Sequence, residues 1–347
     1  MPNILTLIQF EKTSDIGNNE GKNSNVFIAN DLQLGSTLVI KRMEKSKFKP
    51  EEYFSESKML YDSKHPNVAE IQYASQDNDN IYLAMPYYRN GSLNTLCNNR
   101  FLTVREIVKY SLDLLSAVSF IHSKNMLHLD IKPTNILIDD TGKAILTDFG
   151  LSKYMDGNGV AEQPYNYRMH VDPEWYQSSG RTIQSDIYQI GLTMYRLCNG
   201  IGVLNSQLSD QKITTPDQLK DAILKGKFPD RKLFFPHVPK QLQKIILKAL
   251  QINPDSRYMN TIEMMNDISS VDSNLDWQFT GDLSTPYVKS DETYEYCICV
   301  KTKNTIECVK TNIATKKTTK MSKYCMKYTD NGKDLFVKLA SIVGGIS

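Results

Sequence analysis

His128-Leu129-Asp130-Ile131-Lys132-Pro133-Thr134-Asn135-Ile136-Leu137-Ile138, followed after a short turn by Thr147-Asp148-Phe149-Gly150, is the stretch whose reading decides the fold. Asp130 and Asn135 bracket a loop that contains a proline, and the apolar run Ile136 to Ile138 reads as a strand carrying the chain back into a core. Asp139-Asp140-Thr141-Gly142 supplies the hairpin turn before the second motif. The whole reads as a nucleotide-dependent phosphotransfer centre. Phosphoryl transfer needs one carboxylate to orient and accept from the attacking hydroxyl, and oxygen ligands to hold magnesium against the phosphates. Asp130, Asn135 and Asp148 are candidates for those roles, and Lys132 can set a positive charge near the transferring group. A surface loop with a chance Asp-Asn spacing would serve for either motif alone; the two in order argue against it.

The bulk properties set the frame. A chain of 347 residues holds one large bilobal domain or two domains, and 40% hydrophobic content is ordinary for a globular protein. With 41 basic and 39 acidic residues the charge is nearly balanced, which gives no electrostatic argument for nucleic acid or a membrane surface. Neither a signal peptide nor a run of about 18 apolar residues is found, so no membrane span is expected. Six cysteines are sparse for this length, so free thiols and a reducing, cytoplasmic compartment are expected.

The two motifs together resemble the catalytic loop and DFG element of eukaryotic-type protein kinases, in which a Lys two residues after the catalytic Asp marks the Ser/Thr-specific branch. The resemblance implies an α+β bilobal fold, with a β-rich N-lobe over about 1–85 and a mostly α C-lobe over about 89–272. It further implies ATP and Mg2+ as cofactors and a protein as the substrate. Leu38-Val39-Ile40-Lys41 resembles the strand that carries the phosphate-contacting lysine, with Val39 in place of the usual alanine over the adenine. Glu56, nine residues before His65-Pro66-Asn67, is the expected ion-pair partner of Lys41, with Glu51 and Glu52 as runners-up. Met85 falls at the gatekeeper position, the backbone from Pro86 to Tyr88 is expected to bond the base, and Leu137 is counted with the ATP site.

Ile16-Gly17-Asn18-Asn19-Glu20-Gly21 through Val26-Phe27 reads as a phosphate-covering hairpin, because glycine and asparagine let backbone N–H groups approach phosphate oxygens. Ile16, Gly17, Gly21 and Val26 are its candidate ATP contacts. The match to G-x-G-x-x-G-x-V is incomplete, since only Gly21 falls on a glycine position. Further on, Ile71 to Tyr73 and Ile81 to Met85 read as a strand pair about the turn Gln76 to Asn80. Thr103-Val104-Arg105-Glu106 is a capping box, and Ile107, Leu114, Leu115, Val118 and Ile121 form a helical core stripe. By resemblance, Asp186 braces the catalytic loop from a buried helix, and Arg257 pairs with Glu174 of Val171-Asp172-Pro173-Glu174.

Two departures belong together. Leu129 stands where most of the family has the arginine that receives an activation-loop phosphate, and residues 153–177 contain no Ser or Thr. Activity independent of Ser/Thr phosphorylation in that loop is therefore expected. Tyr167 occupies the place of a threonine that contacts the catalytic Asp and Lys, which leaves dual specificity open.

From residue 273 the composition shifts to short alternating runs, expected as a small β appendage of unknown role, with partner docking as one option. Tyr294 to Val300 and Thr305 to Thr311 read as a hairpin, and Tyr324 to Tyr328 with Leu335 to Leu339 as strands flanking an Asp330-Asn331-Gly332 turn. Cys297, Cys299, Cys308 and Cys325 are read as free thiols rather than zinc ligands, because C-x-C with scattered followers is not a zinc-knuckle spacing. Two other classes stay in view: a pseudokinase scaffold or binding module, and a kinase-like small-molecule phosphotransferase.

Overall fold

The computed structural model describes residues 8–16, 24–47, 54, 58, 61, 64–163, 169–178, 180–329 and 331–346. Glu51, Glu56, Gly17, Gly21, Tyr165 and Tyr167 lie outside the described residues, so the expectations placed on them carry no structural account.

Alternation builds the first lobe. β1 (Phe10–Ile16), β2 (Ser24–Asp31), β3 (Thr37–Glu44), β4 (Tyr73–Gln76) and β5 (Asn80–Pro86) form an antiparallel sheet in the order β1-β2-β3-β5-β4. One face buries Phe27, Ala29, Leu38, Ile40 and Ala84 in a single cluster. Because successive side chains point to opposite faces, Val26, Val39, Lys41 and Met85 fall on the other one, which looks into the cleft. The strand pair expected from Ile71 is shifted: the first strand runs Tyr73–Gln76 and the second starts at Asn80. Asp77 explains the shift, since its Oδ1 accepts from the amides of Asp79 and Asn80 and tightens the turn to residues 77–80.

Helices dominate the second lobe. α1 (Leu93–Asn99) is capped by Ser92, and α2 (Val104–Ser123) opens with the expected capping box between Thr103 and Glu106. The α2 stripe Ile107, Leu114, Leu115, Val118 and Ile121 is buried, each large apolar residue contributing about 1.5–3 kcal/mol. Short pairings follow: β6 (Met126–Leu127) with β9 (Lys153–Tyr154), β7 (Ile136–Ile138) with β8 (Ala144–Leu146), and β10 (Ala161–Glu162) with β11 (Gly180–Arg181). Then come α3 (Ile183–Asn199), α4 (Val203–Asp210), α5 (Pro216–Leu224), α6 (Lys240–Ala249) and α7 (Thr261–Ser269), around one large apolar core. No helix among the described residues is long and apolar enough to cross a membrane.

The C-terminal sheet contains β12 (Trp277–Phe279), β13 (Tyr287–Ser290), β14 (Tyr294–Lys301), β15 (Thr305–Asn312), β16 (Thr318–Lys320) and β17 (Met326–Lys327). The hairpin expected at Tyr294 to Thr311 is present as β14 and β15. The strand expected at Leu335 to Leu339 is instead part of a helix, α8 (Gly332–Gly345), capped by Asn331, whose side chain accepts from the Lys333 amide. Leu335, Leu339, Ile342, Val343 and Ile346 recur at helical spacing and pack on Trp277, Ile298, Ile306 and Cys308. The unit sits against the helical lobe. Phe101 meets Phe279 edge-on at 4.7 Å, Arg105 pairs with Asp276 at 2.7 Å, and Arg105 N donates to Leu275 O. All six cysteines are free thiols.

Candidate active site

Lys41 reaches the cleft because β3 alternates. Its register partners Val26 on β2 and Leu83 on β5 share its face, and Ile16 lies opposite Val26 in the same row. In the next row Val39 faces Met85, both half-buried, and Pro86 ends the strand at the hinge. Tyr88 O accepts from Gly91 N, and Gly91 O accepts from Ile138 N, which ties the hinge to β7. Leu137 lies half-buried in β7, and Ser92 bridges to it. A row of apolar side chains beside a hinge is the chemistry an adenine ring needs.

Lys41 Nζ lies 3.0 Å from Asp148 Oδ1 across the cleft. The ammonium holds the Asp148 carboxyl well below the usual carboxylate range, against the opposing effect of burial. Asp148 has φ +63°, a left-handed conformation that turns its side chain toward Lys41. Gly150 leaves room for the pair: a Cβ there would stand 3.2 Å from Asp148 Oδ1 and 3.5 Å from Lys41 Nζ.

Asp130 is buried on the opposite wall. Its Oδ2 accepts from Asn135 Nδ2 at 2.8 Å and meets Lys132 Nζ at 3.0 Å, while Oδ1 accepts no hydrogen bond from any described residue. Burial lifts its pKa to about 6, with Lys132 opposing and Asp148 adding to the rise. Asn135 Nδ2 also donates to Asp130 O at 2.9 Å, and its Oδ1, which accepts a long 3.4 Å bond from Thr134 Oγ1, is an atom of the kind a hard cation takes. Thr147 N donates to Asn135 O at 2.9 Å, so the two metal-ligand candidates Asn135 and Asp148 are fixed through adjoining backbone.

The loop itself is clamped from below. Asp186 on α3 accepts from the amides of His128 at 2.9 Å and Leu129 at 2.8 Å and pairs with His122 Nε2 at 2.8 Å. Burial pushes its pKa up, but these bonds outweigh burial and hold the carboxyl below its ordinary value. His128 is buried and kept neutral, donating from Nε2 to Thr147 O and accepting the Asp130 amide at Nδ1. It also packs edge-on against Phe149 at 4.9 Å. The expected Glu174/Arg257 pair is bidentate, at 2.6 and 2.8 Å.

Of the residues singled out beforehand, Lys41, Asp130, Lys132, Asn135 and Asp148 converge from two lobes, Ile16, Val26, Val39 and Met85 share the sheet face of Lys41, and Pro86, Tyr88 and Leu137 lie at the hinge and on β7. Sequence reasoning missed His128 as the hinge between the two motifs, and Gln189. The signal for Gln189 was its place three positions after Asp186, on the same helix face.

A family model described as the protein kinase domain matches residues 10–267. The chain is 27% identical over 259 residues to the probable serine/threonine-protein kinase PknB of Lactococcus lactis, covering 72% of this chain and 40% of that protein. It is 27% identical over 257 residues to serine/threonine-protein kinase PrkC of Bacillus subtilis, covering 72% and 39%. Identity to ribosomal protein S6 kinase 2 alpha of Xenopus laevis is 30% over 254 residues, covering 70% and 33%. The chain thus spans 40% or less of the length of these relatives. Matched across 10–267, with the lysine of one lobe and the acids of the other in one cleft, the chain belongs to the protein kinase domain family.

Proposed function

We propose that this chain is an ATP-dependent serine/threonine protein kinase. The observation that carries the reading is the convergence of Lys41 and Asp148 at 3.0 Å with a buried Asp130 whose Oδ1 has no hydrogen-bond partner among the described residues. Lys41 holds phosphate oxygens. Asp130 orients the Ser or Thr hydroxyl and takes its proton as the oxygen joins the γ-phosphoryl group and ADP leaves. Lys132 sets positive charge beside the transferred group. Asn135 and Asp148 would hold magnesium, which would supply positive charge to offset that of the phosphates. The incubation of the chain with radiolabelled ATP and a generic protein substrate tests this. Transfer by the native chain and none by Asp130→Ala or Asp148→Ala supports it; no transfer by any of them supports a scaffold, and transfer to a small metabolite alone supports the other phosphotransferase class.

The same reading includes activity without activation-loop Ser/Thr phosphorylation. Leu129 is buried in a cluster with Leu127 and Ala161, with Met155 and Ile183 packed on it. The β10–β11 pairing and the bond from Gln163 Nε2 to Leu151 O, which tie residues 161–163 to the lobe, support this reading. Phosphosite mapping of the active enzyme is decisive here, and an obligatory phosphate on the loop would sink it. The free thiols fit a cytoplasmic setting. The C-terminal unit fits partner docking: Val288, Cys297, Cys299 and Val309 lie half-buried on one sheet face, outside its core.

A further inference from the structure

α3 turns Asp186, Gln189 and Thr193 toward the catalytic loop, at a spacing of three and four residues that places them on one helix face. Asp186 reaches the start of the loop. Gln189, only 4% exposed, reaches further: its Oε1 accepts from Ile131 N at 2.8 Å and its Nε2 donates to Leu129 O at 3.0 Å. These are the neighbours of Asp130 on either side. Leu129 has φ +64°, a left-handed conformation that residues with a Cβ adopt at a cost. Strain of this kind persists only where the surroundings over-determine it. Here the Leu129 N–H is taken by Asp186 and its C=O by Gln189.

We propose that Gln189 is a positioning residue for phosphotransfer, one that holds the strained backbone on both sides of Asp130 so that Oδ1 faces the incoming hydroxyl. The role rests on the protein-kinase reading given above. Glutamine suits it because one planar group offers a donor and an acceptor together. Alanine offers neither. Glutamate keeps the acceptor for Ile131 N and supplies a donor for Leu129 O only while it is protonated.

The test compares the full native chain with Gln189→Ala and Gln189→Glu, reading kcat, the KM for ATP and Tm over a range of pH. Gln189→Ala is expected to lose about 10- to 100-fold in kcat, the scale of a small misplacement of a reacting group. Its KM for ATP should stay within about twofold, because the lysine and the adenine-facing residues sit on other elements. Burial raises the pKa of the new carboxyl in Gln189→Glu, so its kcat relative to the native chain should fall as pH rises. Asp186, His128, Asp130 and His170, the titratable groups bonded to the same loop, are common to both proteins, and the ratio cancels their shared effect. An unchanged kcat in Gln189→Ala, or a loss of kcat with an equal rise in the KM for ATP, overturns the role. If Gln189→Ala does not fold, the Gln189→Glu ratio decides, and a ratio flat with pH overturns it. An inactive native chain overturns the kinase reading and this role with it; an active native chain with an unaffected variant overturns the role alone.

Discussion

Lys41 and Asp148 hold each other across the cleft, Nζ to Oδ1 at 3.0 Å, although 107 residues separate them in the chain. Each is a counter-charge to the other, and in the mechanism proposed above both act on the same triphosphate. Lys41→Met is expected to lower the transfer rate by about 10²- to 10³-fold, the scale of removing one preorganised charge from a transition state. Initial-rate measurement on saturating protein substrate checks it, with circular dichroism to confirm the fold.

Arg257 is fully buried and forks onto Glu174 while also donating to Gln251 O, Gln184 O and Ile252 O. Removing it strands a carboxylate and three carbonyls. Arg257→Ala should cost about 3–5 kcal/mol, as for other broken buried pairs, and lower Tm by roughly 10 °C. Arg257→Lys should not restore it, because a single ammonium cannot reproduce the fork. Calorimetry reads both.

Asp130 titrates with a pKa raised to about 6, chiefly by burial. Its ionised form is the one that accepts a proton, so kcat/KM should fall as pH drops through about 6. The sign for stability is opposite. The folded state holds this proton more tightly than the unfolded chain, so the group's contribution is fully present below about pH 4 and lost as pH rises through about 6. Asp130→Asn should abolish that dependence, and denaturant unfolding at the two ends of the window measures it.

Leu129 is 4% exposed among apolar neighbours. Restoring the family's arginine there would bury a guanidinium with no counter-charge in that cluster, a change that destabilises by several kcal/mol. Leu129→Arg should therefore lower both Tm and activity. A rise in activity after phosphorylation of the variant would contradict the apolar role of this position.

The centre was legible because its parts are nearly contiguous. Asp130, Lys132, Asn135 and Asp148 fall within 19 residues, so spacing alone constrains their geometry. Lys41 was legible by its strand and its distance from the glycine-rich turn. Gln189 was not read, because its partners Ile131 and Leu129 lie 58 and 60 residues away and its spacing from Asp186 was the one hint of them. The helix at Gly332–Gly345 was misread through a local conflict: Asp330-Asn331-Gly332 signals a turn and Phe336-Val337 favours a strand, yet the burial of Leu339, Ile342 and Val343 decides for a helix.

The aromatic seam between the lobe and the C-terminal sheet has a practical consequence. Phe101 and Phe235 on one side meet Phe279 on the other, while Gln278 bonds to Phe101 O and pairs with Thr103. A clone stopped at the end of α7 would present those rings to water and leave the start of α2 without its outer neighbour. Such a fragment should express as a sticky, aggregating product, so the appendage behaves as part of the fold's own fabric rather than as a detachable tag.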